Sequence, residues 1–206
     1  KAWPPADVRT LAAPLKAGSY DDDATNVGSN DSAAGPGGSG AIGDEQTGAG
    51  AWTFSPPLRK AARMAGVPSA AVDLGVTVPR TNVAVNVYDV APDGTATMVT
   101  RGAAMADTSG VEQVRLFPTD WTFAKGHRVG VLVSGANAEA YVHVPTYSTV
   151  DVNGGTVTLP WMRATGRTPT AGTISSRLEA YLDSAPFAVD TALIAERTEP
   201  RFPLPR

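Results

Sequence analysis

Hydrophobic and polar residues alternate with a period of two along the stretch from Ala70 to Arg101. Val72, Leu74, Val76 and Val78 share one face of an extended chain, with Asp73 and Thr77 on the other. Val83, Val85 and Val87 repeat the pattern, opposed by Asn82 and Asn86. Two half-buried strands are predicted, separated at Pro79-Arg80. Ala91-Pro92-Asp93-Gly94 then predicts a tight turn, since Pro presets φ and Gly tolerates a positive one. A third strand follows over Ala96 to Arg101.

The same template locates the other elements. Val8 to Leu15 reads as a strand that Pro14 confines to an edge. Lys16 to Gly50 is rich in Gly, Ser, Ala, Asn and Asp, too poor in apolar side chains to offset its ordering entropy, and is predicted to be a long surface loop. Ala51 to Phe54 reads as a strand stopped by Ser55-Pro56-Pro57. Leu58 to Met64 reads as a helical turn or an irregular edge. A strand centres on Val114 and Leu116, Phe117 to Trp121 forms a corner, and Phe123 to Gly126 turns the chain into a central strand marked by Val129, Val131 and Val133. Gly130 in that strand leaves space for a close neighbour. Tyr141 to Val144 is another alternating run. Asn153-Gly154, inside Asp151 to Leu159, predicts a hairpin with a type I′ turn. Beyond Trp161, Ile174, Leu178, Tyr181 and Leu182 have helical spacing, a second helix is predicted over Val189 to Glu196, and Pro200 to Arg206 is an extended tail.

Roughly nine strands with frequent turns predict an all-β sandwich rather than βαβ units. The composition agrees, with 21 Gly and 17 Pro in 206 residues and no long charged helix. A net charge of −3 with scattered Lys and Arg excludes the basic stripe of a nucleic-acid binder and the polybasic patch of an anionic membrane surface. No apolar run is long enough to span a bilayer as a helix. Cysteine is absent, which removes thiol nucleophiles and zinc-thiolate sites. The opening Lys1-Ala2-Trp3-Pro4-Pro5 carries neither an initiator Met nor a signal-peptide pattern, so the expectation is a piece of a longer precursor.

Candidate chemistry is sparse. No G-x-S-x-G nucleophile elbow occurs. The histidines are His127 and His143, and local sequence places neither nucleophile nor orienting carboxylate beside them. His127 shares the parity of Val129 and is predicted to be a hydrogen-bonded structural histidine directed into the sandwich. His143 has the opposite parity to Val142 and Val144 and is predicted to face solvent or a second face. Asp21, Asp22 and Asp23, with Asn26, Asn30 and Asp31, are oxygen ligands of the kind calcium takes, but they match no EF-hand spacing and are read as solvated loop charges. Trp3, Trp52, Trp121 and Trp161 would suit sugar stacking only if exposed on one face; core or interface positions are the commoner use. No catalytic, cofactor-binding or metal-ligating residue is assigned, and no cofactor is called for.

Several stretches, taken in order, resemble a known family. They are Trp3-Pro4-Pro5; Thr53 to Leu58 followed by Ala65-Gly66; Asn82 to Val90 with Pro92-Asp93-Gly94; and Gly126-His127-Arg128 with its Val-rich strand. Over roughly residues 1 to 160 the chain resembles the C-terminal domain of X-Pro dipeptidyl-peptidases and of cocaine-esterase-type hydrolases. Where the family shows a Ser-rich segment with Asp-Phe-Pro, this chain has Ser134 to Ala140.

The resemblance implies a galactose-binding-like jelly-roll sandwich, which the pattern places over 1–165 with the long loop at 16–50; the partly helical extension over 166–206, read from its spacing, runs past the family's usual end. It implies an accessory domain packed on an α/β-hydrolase module of the same parent chain and lining that module's active-site entrance, with Trp3-Pro4-Pro5 at the crossing. The parent would be a serine peptidase whose triad maps onto no residue here, and a secreted or cell-surface home is expected. A homo-oligomer is a further candidate partner; nucleic acid and membrane insertion are not. The alternative is a free-standing carbohydrate-binding or interaction module.

Overall fold

The protein is seen in a computed structural model that describes residues 5–22, 50–135, 144–163, 176 and 187–205. The elements are β1 (Val8–Leu15), β2 (Gly18–Asp22), β3 (Ala51–Phe54), β4 (Ala62–Gly66), β5 (Ser69–Gly75), β6 (Thr81–Val90), β7 (Thr95–Ala106), β8 (Gly110–Arg115), β9 (Thr119–Phe123), β10 (Arg128–Ser134), β11 (Ser148–Met162), β12 (Phe187–Ala188) and one helix, α1 (Thr191–Arg197). They form two antiparallel sheets. A seven-stranded sheet runs β8-β5-β11-β4-β9, with β1 and β2 paired to β11, and a five-stranded sheet runs β12-β7-β6-β10-β3. The chain is an all-β sandwich.

Alternation explains the layers. Ala70, Val72 and Leu74 of β5 and Val150, Val152, Val157 and Leu159 of β11 are buried against Val83, Val85, Val87, Val129, Val131 and Val133 of the facing sheet. A second cluster fills the outer face of the five-stranded sheet, where Trp52, Phe54, Tyr88 and Leu132 pack under Val189 and Ile194 from the C-terminal segment. Trp52 stacks on Phe54 with ring centroids 5.0 Å apart. This cover corrects the half-buried reading of the Val83 strand: β6 is buried on both faces, and Asn86 on the supposedly polar side is 3% exposed. Gly130 leaves room for this packing, since a Cβ would stand 3.1 Å from the Phe54 ring and 3.0 Å from Val90, closer than ordinary contact.

The turn at Ala91 to Gly94 forms as expected, with Gly94 N–H donating to Ala91 O (3.0 Å) and φ of 91° at Gly94. The hairpin at Asn153-Gly154 does not form. β11 runs straight through it as one fifteen-residue strand, paired with β1 and β2 on one side and β5 on the other, with a bulge opposite Leu74–Asp73. This bulge uses glycines at positive φ, 122° at Gly154 and 148° at Gly155, and a Cβ on Gly155 would lie only 2.3 Å from Ala71 O.

Three further expectations are corrected. Part of the predicted 16–50 loop is strand β2, held by a buried Tyr20 and a buried Asp22. The 58–64 stretch leads into β4 instead of a helical turn, and the 117–121 corner ends early, because Thr119 already pairs with Gly66. The Tyr141–Val144 run lies outside the described residues except for Val144, as do the four positions of the helix expected over Ile174 to Leu182. The C-terminal helix is present: Asp190 caps α1 by accepting from Ala192 N–H (2.8 Å), and Phe202 beyond it enters the main core.

Candidate functional site

His127 has a carboxylate that local sequence could not supply. Asp89, from β6, lies 2.8 Å from His127 Nδ1 through Oδ1, while its Oδ2 accepts from Trp121 Nε1 at 2.9 Å. His127 and Asp89 belong to the five-stranded side and Trp121 to β9 of the other sheet, so the carboxylate ties the two sheets together at one end of the sandwich. The histidine side chain is 27% exposed and the aspartate 9%. Such an Asp–His pair orients an imidazole, but a hydrolytic base also needs a nucleophile in reach. Among the described residues no hydroxyl contacts His127. The Ser55 hydroxyl near the same end is committed, accepting from Val129 N–H (2.9 Å) and donating to Pro56 O (2.8 Å). His143 lies outside the described residues.

Asp22, read from sequence as a solvated loop charge, is fully buried. Its Oδ2 accepts from Thr146 Oγ1 (2.7 Å), Thr146 N–H (3.2 Å), Asn82 N–H (3.4 Å) and Asn82 Nδ2 (3.4 Å). Asp21 accepts from Thr149 Oγ1 at 2.6 Å. These carboxylates fasten β2 to its neighbours. Tyr20 donates to Asn82 O (2.7 Å) in the same cluster, and its pKa is pushed up by burial and then by the Asp22 charge. Asp23, Asn26, Asn30 and Asp31 lie outside the described residues, and among the described residues no three His, Asp or Glu side chains gather as a metal would require.

Among the described residues the tryptophans give no stacking platform. Trp52 and Trp161 are each 1% exposed, and Trp121 is half-buried with its N–H tied to Asp89. Trp3 lies outside the described residues.

A hollow of about 610 Å³ opens between β1, the end of β11 and the C-terminal tail. Arg9, Leu11, Trp161 and Arg163 line one side and Pro203 to Pro205 the other. Arg9 stands opposite Trp161 in the β1–β11 ladder, which continues one step as Arg163 N–H donates to Asp7 O (3.0 Å). Alternation therefore sets Arg9, Trp161 and Arg163 on one face of the sheet. Neither guanidinium has an acceptor or ion pair among the described residues; Asp7, nearest in the ladder, makes none with them. Nothing in the sequence alone marked these arginines, because residues 9 and 163 meet only through the pairing of distant strands.

Fold and contacts together define a β-sandwich domain in which, among the described residues, no nucleophile meets a base. The chain belongs to the family described as the X-Pro dipeptidyl-peptidase C-terminal non-catalytic domain, whose model matches residues 2–179. No curated protein matches the sequence. Among solved structures, an aminopeptidase from the marine sediment archaeon Thaumarchaeota archaeon is similar, with TM-score 0.60 and 18% identity over 78% of this chain and 38% of its own. A CocE/NonD family hydrolase from Staphylococcus aureus is similar with TM-score 0.56 and 11% identity, over 78% of this chain and 38% of its own. These are likenesses of fold, and the chain spans little more than a third of either protein. Among the described residues no helix is long and apolar enough to cross a membrane.

Proposed function

We propose that this chain is the accessory C-terminal sandwich of a serine hydrolase of X-Pro dipeptidyl-peptidase type, packed on an α/β-hydrolase module of the same polypeptide and forming part of the wall of its active-site entrance. The parent would cleave Xaa-Pro dipeptides, or related amides or esters, through an acyl-enzyme. Its nucleophile, base and orienting acid would all lie in that other module. The sandwich would be of the galactose-binding-like jelly-roll type over 1–165, with 166–206 as an extension whose described part covers the five-stranded sheet.

The observation that carries this reading is the family match over residues 2–179, in a chain that covers 38% of the hydrolase and aminopeptidase it resembles in fold. The Asp89–His127 pair supports it from the other side, since a carboxylate that bridges the two sheets and holds an imidazole with no nucleophile among the described residues in reach has a structural use. The test is to read the coding sequence upstream of Lys1. An in-frame α/β-hydrolase module with a G-x-S-x-G elbow is expected. A start codon or signal peptide immediately before Lys1 would overturn the proposal.

A further inference from the structure

We propose that the hollow between β1, the end of β11 and the C-terminal tail binds a carboxylate carried on an apolar body, with Arg9 and Arg163 holding the anionic end above the Leu11–Trp161 wall. Three observations support it. The hollow, about 610 Å³, is of the size that takes small organic ligands. Its wall is mixed, with the two arginines beside an apolar part formed by Leu11, Trp161 and Leu204 together with two prolines. Its charge is of one sign and unspent: Arg9 and Arg163 have no partner among the described residues, in a chain whose net charge is −3. Guanidinium groups match carboxylate geometry through paired N–H donors, and such bonds are stronger than neutral ones. A bare inorganic anion would leave the apolar wall unused, and a neutral apolar ligand would leave both cations unpaired.

Trp161 offers a built-in reporter. Its indole N–H is buried and has no acceptor among the described residues, so its resonance responds to changes in the adjoining wall. The site does not depend on attachment to a catalytic module, so it stands or falls separately from the proposed function.

The experiment is a titration of the ¹⁵N-labelled 206-residue chain, followed by its amide and indole resonances, with 3-phenylpropionate, its neutral amide, and an N-acetylated Ala-Ala-Phe peptide with a free or an amidated C-terminus. Saturable shifts at Arg9, Leu11, Met162, Leu204 and the Trp161 indole are expected with the free acids. Binding should weaken about tenfold or more for the amides and for the Arg9→Gln/Arg163→Gln double variant, whose other resonances should stay in place because both side chains are exposed. Tighter binding of the free-acid peptide would identify a peptide C-terminus as the source of the carboxylate; tighter binding of 3-phenylpropionate would identify a small organic acid. Absence of saturation with both acids, equal binding of acid and amide, or undiminished binding by the double variant would each overturn the proposal.

Discussion

The two ends of this sandwich treat charge in opposite ways. At one end Asp22 is fully buried and its carboxylate accepts four hydrogen bonds from Asn82 and Thr146. At the other, Arg9 and Arg163 border an open hollow and meet no acceptor among the described residues. A buried charge without partners would be expelled or neutralised, so saturation at Asp22 is what makes burial tolerable and marks that end as architecture. Water satisfies the arginines, so they cost the fold little and remain available to a ligand.

That contrast sets an order of effects. The largest loss is expected for Asp22→Ala, which strips the acceptor from four buried or half-buried donors and should lower the free energy of unfolding by about 3 kcal/mol in urea titrations. Asp89→Ala should cost about 2 kcal/mol, since Trp121 Nε1 and His127 lose their common partner. A cost near zero there would mean the tie between sheets contributes nothing.

Tyr20→Phe should cost about 1 kcal/mol at neutral pH through the lost bond to Asn82 O. It should also flatten the alkaline limb of the stability curve. A phenol whose pKa is raised in the fold holds its proton more tightly there than in the unfolded chain. Its contribution is therefore complete below about pH 10 and is lost as pH rises beyond. Wild-type stability should fall above that point and the variant's less steeply; parallel curves would count against Tyr20 as the source. The smallest effect, within about 0.5 kcal/mol, is expected for Arg9→Gln/Arg163→Gln, as befits exposed, unpaired side chains. A loss as large as that of Asp22→Ala would erase the contrast between the two ends.

How far these features are legible in the sequence follows from the range of the interactions that set them. β3 and β10 follow from local alternation and turn residues, β1 from its bounds more than from its poor alternation, and the structure begins and ends β1 and β3 where the sequence does. Asn153-Gly154 shows the limit. Positive φ is written into Gly154 and Gly155, but whether it makes a turn or a bulge depends on β11 having partners on both sides. β2 was hidden for the same reason, because its polar sequence becomes a strand only when Asp22 reaches Thr146, 124 residues away. The parity of His127 points to a hydrogen-bonded histidine, as the structure shows, yet its partner lies 38 residues earlier in the chain. The arginine pair is the extreme case: no periodicity links Arg9 to Arg163, and only the β1–β11 ladder joins them.

The most direct test of the proposal that this chain is an accessory sandwich whose nucleophile, base and acid lie in another module is an assay of the purified chain with an Xaa-Pro p-nitroanilide substrate, with and without a serine-directed inhibitor. Release of p-nitroaniline at the rate of buffer alone, unaffected by the inhibitor, is the expected result. Turnover that the inhibitor abolishes, and that His127→Gln also abolishes, would contradict it and make the Asp89–His127 pair part of a working active site.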